Sequence, residues 1–282
     1  MVESIRRAAV AGSFYPAETK ALQNLIEGCF QSHPLGPLGA GSYSSSLFGG
    51  MVPHAGLAYS GACAAHFYSV LPPDLESVIL LGVNHRGSGS DAALSPADFW
   101  ETPLGVVRVE REPSRTLSAL AGVVAEDEAA HRFEHSIEVQ LPFLQTVLKT
   151  FSFVPVSLAH ISDHECARLG QAVAQLYEQQ MALGKRTLVI ASSDLSHYLS
   201  PEETERLDRL VLGPVLALDP AALLEAVRRE QISMCGVIPT AVFLEAAKTL
   251  GAKSARLLKH CHSGDVSPMK EVVGYASVAV EF

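Results

Sequence analysis

The chain has 282 residues, 48% of them hydrophobic, and 30 acidic against 21 basic side chains give it a formal net charge of −9. That is enough apolar mass for one large core or two small ones. The acidic balance and the lack of a basic stripe exclude nucleic acid as the main partner. No apolar run is long enough to cross a bilayer, and Arg6 and Arg7 are not followed by the apolar stretch of a signal peptide.

In chain order, Tyr15-Pro16-Ala17-Glu18 opens a helix over residues 15–30. Residues 31–47 are rich in Gly, Pro and Ser and read as a mobile loop, either a plain linker or a lid. A strand over 48–53 precedes a helix over 56–71, whose small residues suit close packing on a sheet. Residues 77–84 are the clearest buried strand, a continuous β-rich apolar run. A polar stretch follows, then a strand at 106–109 and a helix at 114–125. Apolar Ile137, Val139, Leu141, Phe143, Leu144, Val147 and Leu148 predict a helix over 135–150. The strand at 153–158 contains Pro155, which points to a sheet edge or a bulge.

Ser162-Asp163-His164-Glu165 reads as a capping box opening a helix to about residue 182, and Ser200-Pro201-Glu202-Glu203 as a second. Between them, residues 187–193 form a strand. Asp219-Pro220 starts a further helix, and the helix over 239–250 stops at Gly251. Residues 272–282 close the chain as one or two strands. Strands alternate with helices and no internal repeat or boundary is visible. The reading is one α/β domain over 1–282, with a largely parallel or mixed central sheet flanked by helices.

Ligand-type residues stand where strands end. His54 follows the strand at 48–53, His85 follows 77–84, and Asp194 and His197 follow 187–193. In open α/β sheets, ligands bind outside the carboxyl ends of strands. His54 is either a ligand or a helix cap, and His85 either a ligand or a solvated loop residue. Asp194 and His197, spaced i, i+3, share a face on a turn, where a carboxylate can orient an imidazole and raise its basicity. Alternatively Asp194 caps the segment and His197 is a surface residue. Cys235 is a soft ligand as a thiolate, or a small buried hydrophobe as a thiol. His135 either binds substrate or pairs with Glu134 or Glu138. His33, His66, His131 and His164 read as structural. His260, Cys261 and His262 form a dense cluster, but strand alternation points Cys261 away from both histidines. The five cysteines are scattered, odd in number and without a C-x-x-C pair, which suits a reducing cytoplasm.

Six motifs in order resemble the Memo family, whose bacterial and archaeal members are called AmmeMemoRadiSam system protein B. They are Ala11-Gly12-Ser13-Phe14-Tyr15-Pro16, Val52-Pro53-His54-Ala55-Gly56, Gly82-Val83-Asn84-His85, the run from Glu134-His135-Ser136-Ile137-Glu138 to Phe143, Ser193-Asp194-Leu195-Ser196-His197, and Val273-Gly274-Tyr275-Ala276. The resemblance implies a fold similar to class III extradiol ring-cleaving dioxygenases. It implies that His54 and His85 hold a metal, with Cys235 where those enzymes have a carboxylate. It implies that His197 is the catalytic histidine beside Asp194, and that His135 lies near the pocket. Iron or copper is the implied cofactor, zinc less so. A thiolate is oxidisable and donates more charge than a carboxylate, which turns the expectation from catechol cleavage to redox chemistry. Arg86 alone does not make a phosphotyrosine site.

Two functions compete. One is a metal-dependent redox protein acting on an unknown small molecule or peptide. The other is a non-catalytic protein that uses the same pocket for a peptide or a partner, such as the radical-SAM component of the family's name. A zinc hydrolase is a third reading.

Overall fold

Runs that are apolar at every position can be buried on both faces, and here they form the middle of one large sheet. The computed structural model describes residues 3–39 and 41–282. The strands among them are β1 (Ile5–Arg6), β2 (Leu47–Val52), β3 (Ser77–Val83), β4 (Ala92–Leu94), β5 (Phe99–Thr102), β6 (Gly105–Val109), β7 (Ala125–Glu126), β8 (Ser152–Leu158), β9 (Thr187–Ser192), β10 (His197–Leu199), β11 (Ser254–His262) and β12 (Val272–Glu281). They join one sheet in the order β1-β5-β6-β8-β3-β9-β2-β12-β10, with β11 on β12, and β4 bridging β7 and β8. The five strands from β6 to β2 are parallel, while β5 and β12 pair antiparallel at either side, so the sheet is mixed.

The helices are α1 (Thr19–Gln31), α2 (Leu57–Tyr68), α3 (Arg111–Ala121), α4 (Ala129–Arg132), α5 (Leu141–Val147), α6 (Asp163–Ala182), α7 (Pro201–Leu216), α8 (Pro220–Glu230), α9 (Val237–Thr249) and α10 (Ser263–Val266). Alternate strand residues feed two cores. Ile79, Leu81, Val189 and Ala191 pack with Leu117 of α3, Leu169 and Val173 of α6, Val211 of α7 and Phe243 of α9. Val78, Leu80, Leu188 and Ile190 face Leu22 and Ile26 of α1, Phe67 of α2 and Phe143 of α5. The result is a single α/β domain of three layers.

Several boundaries differ from the sequence reading. The first helix begins at Thr19 rather than residue 15, capped by Glu18, whose carboxylate accepts from the backbone N–H groups of Lys20 and Ala21. Residues 135–137 are not helical: Glu138–Gln140 make a 3₁₀ turn before α5, and α5 ends at Val147. The α3 helix spans Arg111–Ala121 and stops at left-handed Gly122, short of 125. Between α1 and β2 the described residues of the expected loop carry neither helix nor strand, and Ala40 lies outside the described residues.

Pro155 stands neither at an edge nor in a bulge, because β8 has neighbours on both sides. Ser152 N–H donates towards β3, to Glu76 O, and Phe153 O accepts from Glu110 on the other side. By alternation the Pro155 nitrogen faces that second side, where pairing with β6 ends at Phe153 and pairing with β4 begins at Val156. The missing N–H therefore falls in a gap between partners. The Ser162–Glu165 capping box forms in full. At Ser200 only half of it does: the hydroxyl accepts from Glu203 N–H, but the Glu203 carboxylate binds Arg206 instead.

Candidate metal centre

Three parallel strands adjacent in the sheet, β3, β9 and β2, end side by side, and their next residues carry His85, Asp194 and His54. Close backbone approaches complete the cluster. A Cβ at Gly82 would lie 2.4 Å from Ile137 Cγ1, so glycine there lets the 134–137 turn lie over the end of β3. A Cβ at Gly236 would lie 2.3 Å from Ser193 Cβ, so glycine also lets the loop between α8 and α9 press Cys235 against the end of β9.

The imidazole tautomers follow from their partners. His54 is buried, and its Nδ1 lies 2.9 Å from Ser192 Oγ. Ser192 donates its own proton to Ser136 O at 2.7 Å and accepts from Gln140 Nε2 at 2.7 Å, so its remaining role towards His54 is acceptor. Nδ1 of His54 therefore carries the proton. His85 Nδ1 donates to Glu134 Oε1 at 2.9 Å, His135 Nδ1 lies 3.2 Å from the same oxygen, and His197 Nδ1 donates to Ser233 O at 2.9 Å. In the rings of His54, His85 and His197 this leaves Nε2 as the basic nitrogen. Histidines that bind metals are held this way, with the far nitrogen donating to a carboxylate, carbonyl or hydroxyl.

Ligand atoms converge in two overlapping groups. Those of His54, His85 and His135 lie within 4.8 Å of one another, as do those of His54, Asp194 and Cys235. His54 belongs to both, and its Nε2 is 3.2 Å from Cys235 Sγ. The His85 and His135 rings stack at 4.5 Å, and both stand nearly perpendicular to His54. Asp194 Oδ1 accepts from the backbone N–H groups of His54 and Ala55, which anchors the β2 end to the β9 end. The sequence reading has Asp194 orienting His197. The structure gives that task to Ser233, whose hydroxyl accepts the His197 backbone N–H while its carbonyl holds the ring. The strand β10 bulges between His197 and Leu199, with Tyr198 in the left-handed region at φ 59°. Such strain is typical of positions where a side chain must be aimed. Beside His85 and Cys235 opens a cavity of about 700 Å³, walled by Leu158, Leu224, Met234 and Ile238 and bearing Arg86 and Arg228.

In the metal-free centre burial is the largest influence on the ionisable groups. Burial, then the neighbouring histidines, pushes the His54 imidazole far below the ordinary range. Burial lowers His135 to about 4. Burial also raises the Cys235 thiol and the Asp194 carboxyl. Burial would likewise raise Glu134, but hydrogen bonds and charge from His85 and His135 outweigh it and hold it at about 2. A cation would favour the thiolate and carboxylate and offset the repulsion among the imidazoles. Imidazole nitrogens, a thiol and a carboxyl, with His54 Nε2 already meeting Cys235 Sγ, form a donor set that fits a soft or borderline metal.

The pH dependence of stability follows. Buried His131 is lowered to about 3, mainly by burial. His54, His131 and His135 thus bind protons more weakly folded than unfolded. Their contribution is complete above the ordinary 6.5 and is lost as pH falls towards about 4. Each changes the slope by ~1.4 kcal/mol per pH unit, so the metal-free chain is expected to lose up to about 4 kcal/mol per unit through that window. Denaturant titrations across it check this, and a flat profile would contradict it.

Strand ends in the sequence bring His54, His85, Asp194 and His197 to one end of the sheet and the family resemblance adds Cys235 and His135; all six lie there. Sequence reasoning did not find the groups that fix their orientation: Ser192, Gln140, Ser136, Ser233 and the shared Glu134. Of these Glu134, Ser136 and Gln140 lie inside the motif quoted around His135, while Ser192 and Ser233 left no signal. His260 and Cys261 do point apart: His260 binds Asp208, and Cys261 packs with Cys63 and Tyr275. No helix of the described residues is long and apolar enough to cross a membrane.

A family profile described as Memo-like protein matches residues 6–279. A MEMO1 family protein of Methanopyrus kandleri is 44% identical over 281 residues, 97% of this chain and 98% of its own. One from Ignicoccus hospitalis is 42% identical over 97% of this chain and 98% of its own, and one from Methanococcoides burtonii 38% identical over 98% of this chain and its whole length.

Proposed function

The chain belongs to the Memo family, and from that premise we propose that it is a metal-binding redox protein with a dioxygenase-like pocket. The cation sits at His54, with His85 and Cys235 as further ligands drawn from the two groups. Iron or copper would supply one-electron chemistry there when bound. His197 holds or delivers a proton through Nε2, and the cavity beside His85 and Cys235 receives an apolar-bodied small molecule or peptide. The observation that carries this reading is the common tautomer: His54, His85 and His197 each engage Nδ1 with an oxygen, and the Nε2 of His54 meets the Cys235 sulfur at 3.2 Å. The five free thiols suit a reducing cytoplasm, and a radical-SAM protein is the proposed partner.

Metal analysis of untagged protein purified without oxygen tests it. About one equivalent of iron or copper per chain is expected, with metal-dependent oxygen or electron consumption. Metal without consumption favours a non-catalytic binding protein, and failure to take up either metal overturns the reading.

A further inference from the structure

Two of the five free thiols lie together, although they are far apart in sequence and outside the ligand groups. Cys63 of α2 and Cys261 of β11 pack with Tyr275 as a small buried cluster of their own. Strand register explains the meeting. Lys259 pairs with Ser277 and Cys261 with Tyr275, so alternation puts Ser277, Cys261 and Tyr275 on one face of the sheet. Helix α2 lies on that face. Cys63 Sγ stands 3.9 Å from Ser277 Oγ and 3.9 Å from Lys259 O, and the Ser277 hydroxyl donates to Cys63 O at 2.7 Å. The helix is therefore held at the residue that carries the thiol. Cys29 and Cys166 lie instead in the two main cores, on opposite faces of the sheet.

We propose that Cys63 and Cys261 form a reversible disulfide, a site of modification by hydrogen peroxide set behind the candidate metal centre. The pair needs no metal to react. Two partly buried residues close the cluster, Ala55 and Val273. Ala55 follows His54, and Val273 is the register partner of His197 between β10 and β12. A bond formed here ties the helix that follows His54 to the strand pair on which His197 is registered.

The two thiols differ in access. Cys261 is 6% exposed and Cys63 not at all, so Cys261 meets the oxidant first. Its sulfur bonds one peroxide oxygen, the O–O bond breaks, and the other oxygen leaves as water, which makes Cys261 a sulfenic acid. The Cys63 sulfur then attacks that sulfur. The S–S bond forms, the S–O bond breaks, and the second oxygen leaves as water. Two thiols give up two electrons and two protons, and one hydrogen peroxide becomes two waters. Burial, then the Cys261 thiol beside it, raises the Cys63 thiol well above its ordinary range, which suits the second step rather than the first. A small dithiol reverses the bond by exchange.

The test exposes the folded full chain to hydrogen peroxide, then unfolds it in iodoacetamide and maps its peptides without reduction. Wild type is expected to lose alkylation at Cys63 and Cys261, to yield one peptide pair linked between them, and to recover both thiols with dithiothreitol. The link should form equally in protein stripped with a chelator. Cys261→Ser should abolish the link and leave Cys63 open to alkylation after the same treatment. If serine at 261 does not fold, as seen by circular dichroism, Cys261→Ala gives the same readout. Three results would overturn the proposal. One is that both thiols remain alkylatable after peroxide has oxidised Cys235. Another is a link from either to a different cysteine. The third is a link that appears only when peroxide is added in denaturant.

Discussion

Exchanging His197 for alanine is expected to leave metal uptake intact and to lower turnover by ~10²–10⁴-fold, the usual contribution of a positioned acid–base group. His197 lies outside both groups of converging ligand atoms. Its ring is nonetheless held as firmly as theirs, by Ser233 O on Nδ1 and by the Ser233 hydroxyl on its backbone N–H. It is only half-buried, so protons can exchange with solvent. It stands close to His54 and Asp194 without joining the ligand groups. Cys235→Ala should behave in the opposite sense, weakening metal binding first. Metal content and oxygen consumption with ascorbate as electron donor, measured on the same preparations, separate the two. A His197→Ala protein that loses its metal while Cys235→Ala keeps it would mean the roles are exchanged.

How far this centre could be read from the sequence depended on the type of element. The strands β2, β3 and β9 are apolar at most positions, so their ends were visible, and parallel packing then brings His54, His85 and Asp194 to one edge. Cys235 was harder, because it arrives on a loop between two helices and is placed by contact with Ser193 rather than by periodicity. The strands β4 and β5 were missed: they are three and four residues long within a polar stretch, too short for any periodic signal. Residues 135–137 misled because Ile137 fits a helical apolar pattern. In the structure the preceding turn is shaped instead by Glu134, which accepts from the backbone N–H groups of His85, His135 and Ser136. Such side-chain to backbone bonds compete with helix and carry no period.

The other large effect concerns a buried charge pair far from β3 in sequence. Arg6 and Glu138 have side chains 5% and 0% exposed and meet at 2.5 Å. Arg6 also donates to His131 O at 2.8 Å and Glu134 O at 2.5 Å, and lies over the Trp100 ring. Glu138 accepts in addition from the N–H groups of Ala9 and Val10 and from the Tyr15 hydroxyl. Removing one partner leaves the other buried, unpaired and charged, which typically costs ~3–5 kcal/mol. Arg6→Ala or Glu138→Ala should therefore lower the melting temperature by about 6–10 °C, taking ~2 °C per kcal/mol at this chain length. The paired replacement Arg6→Met with Glu138→Leu should cost clearly less than the sum of the single changes, since no orphaned charge remains. A melting point for Arg6→Ala within 2 °C of wild type would remove the pair from the structure's main supports. The consequence reaches the centre as well. The two carbonyls that Arg6 holds, at residues 131 and 134, bracket the turn that presents Glu134. Glu134 in turn sets both His85 and His135. Arg6→Ala protein that remains folded at low temperature should bind Co(II) more weakly than wild type, although residue 6 touches none of the proposed ligands.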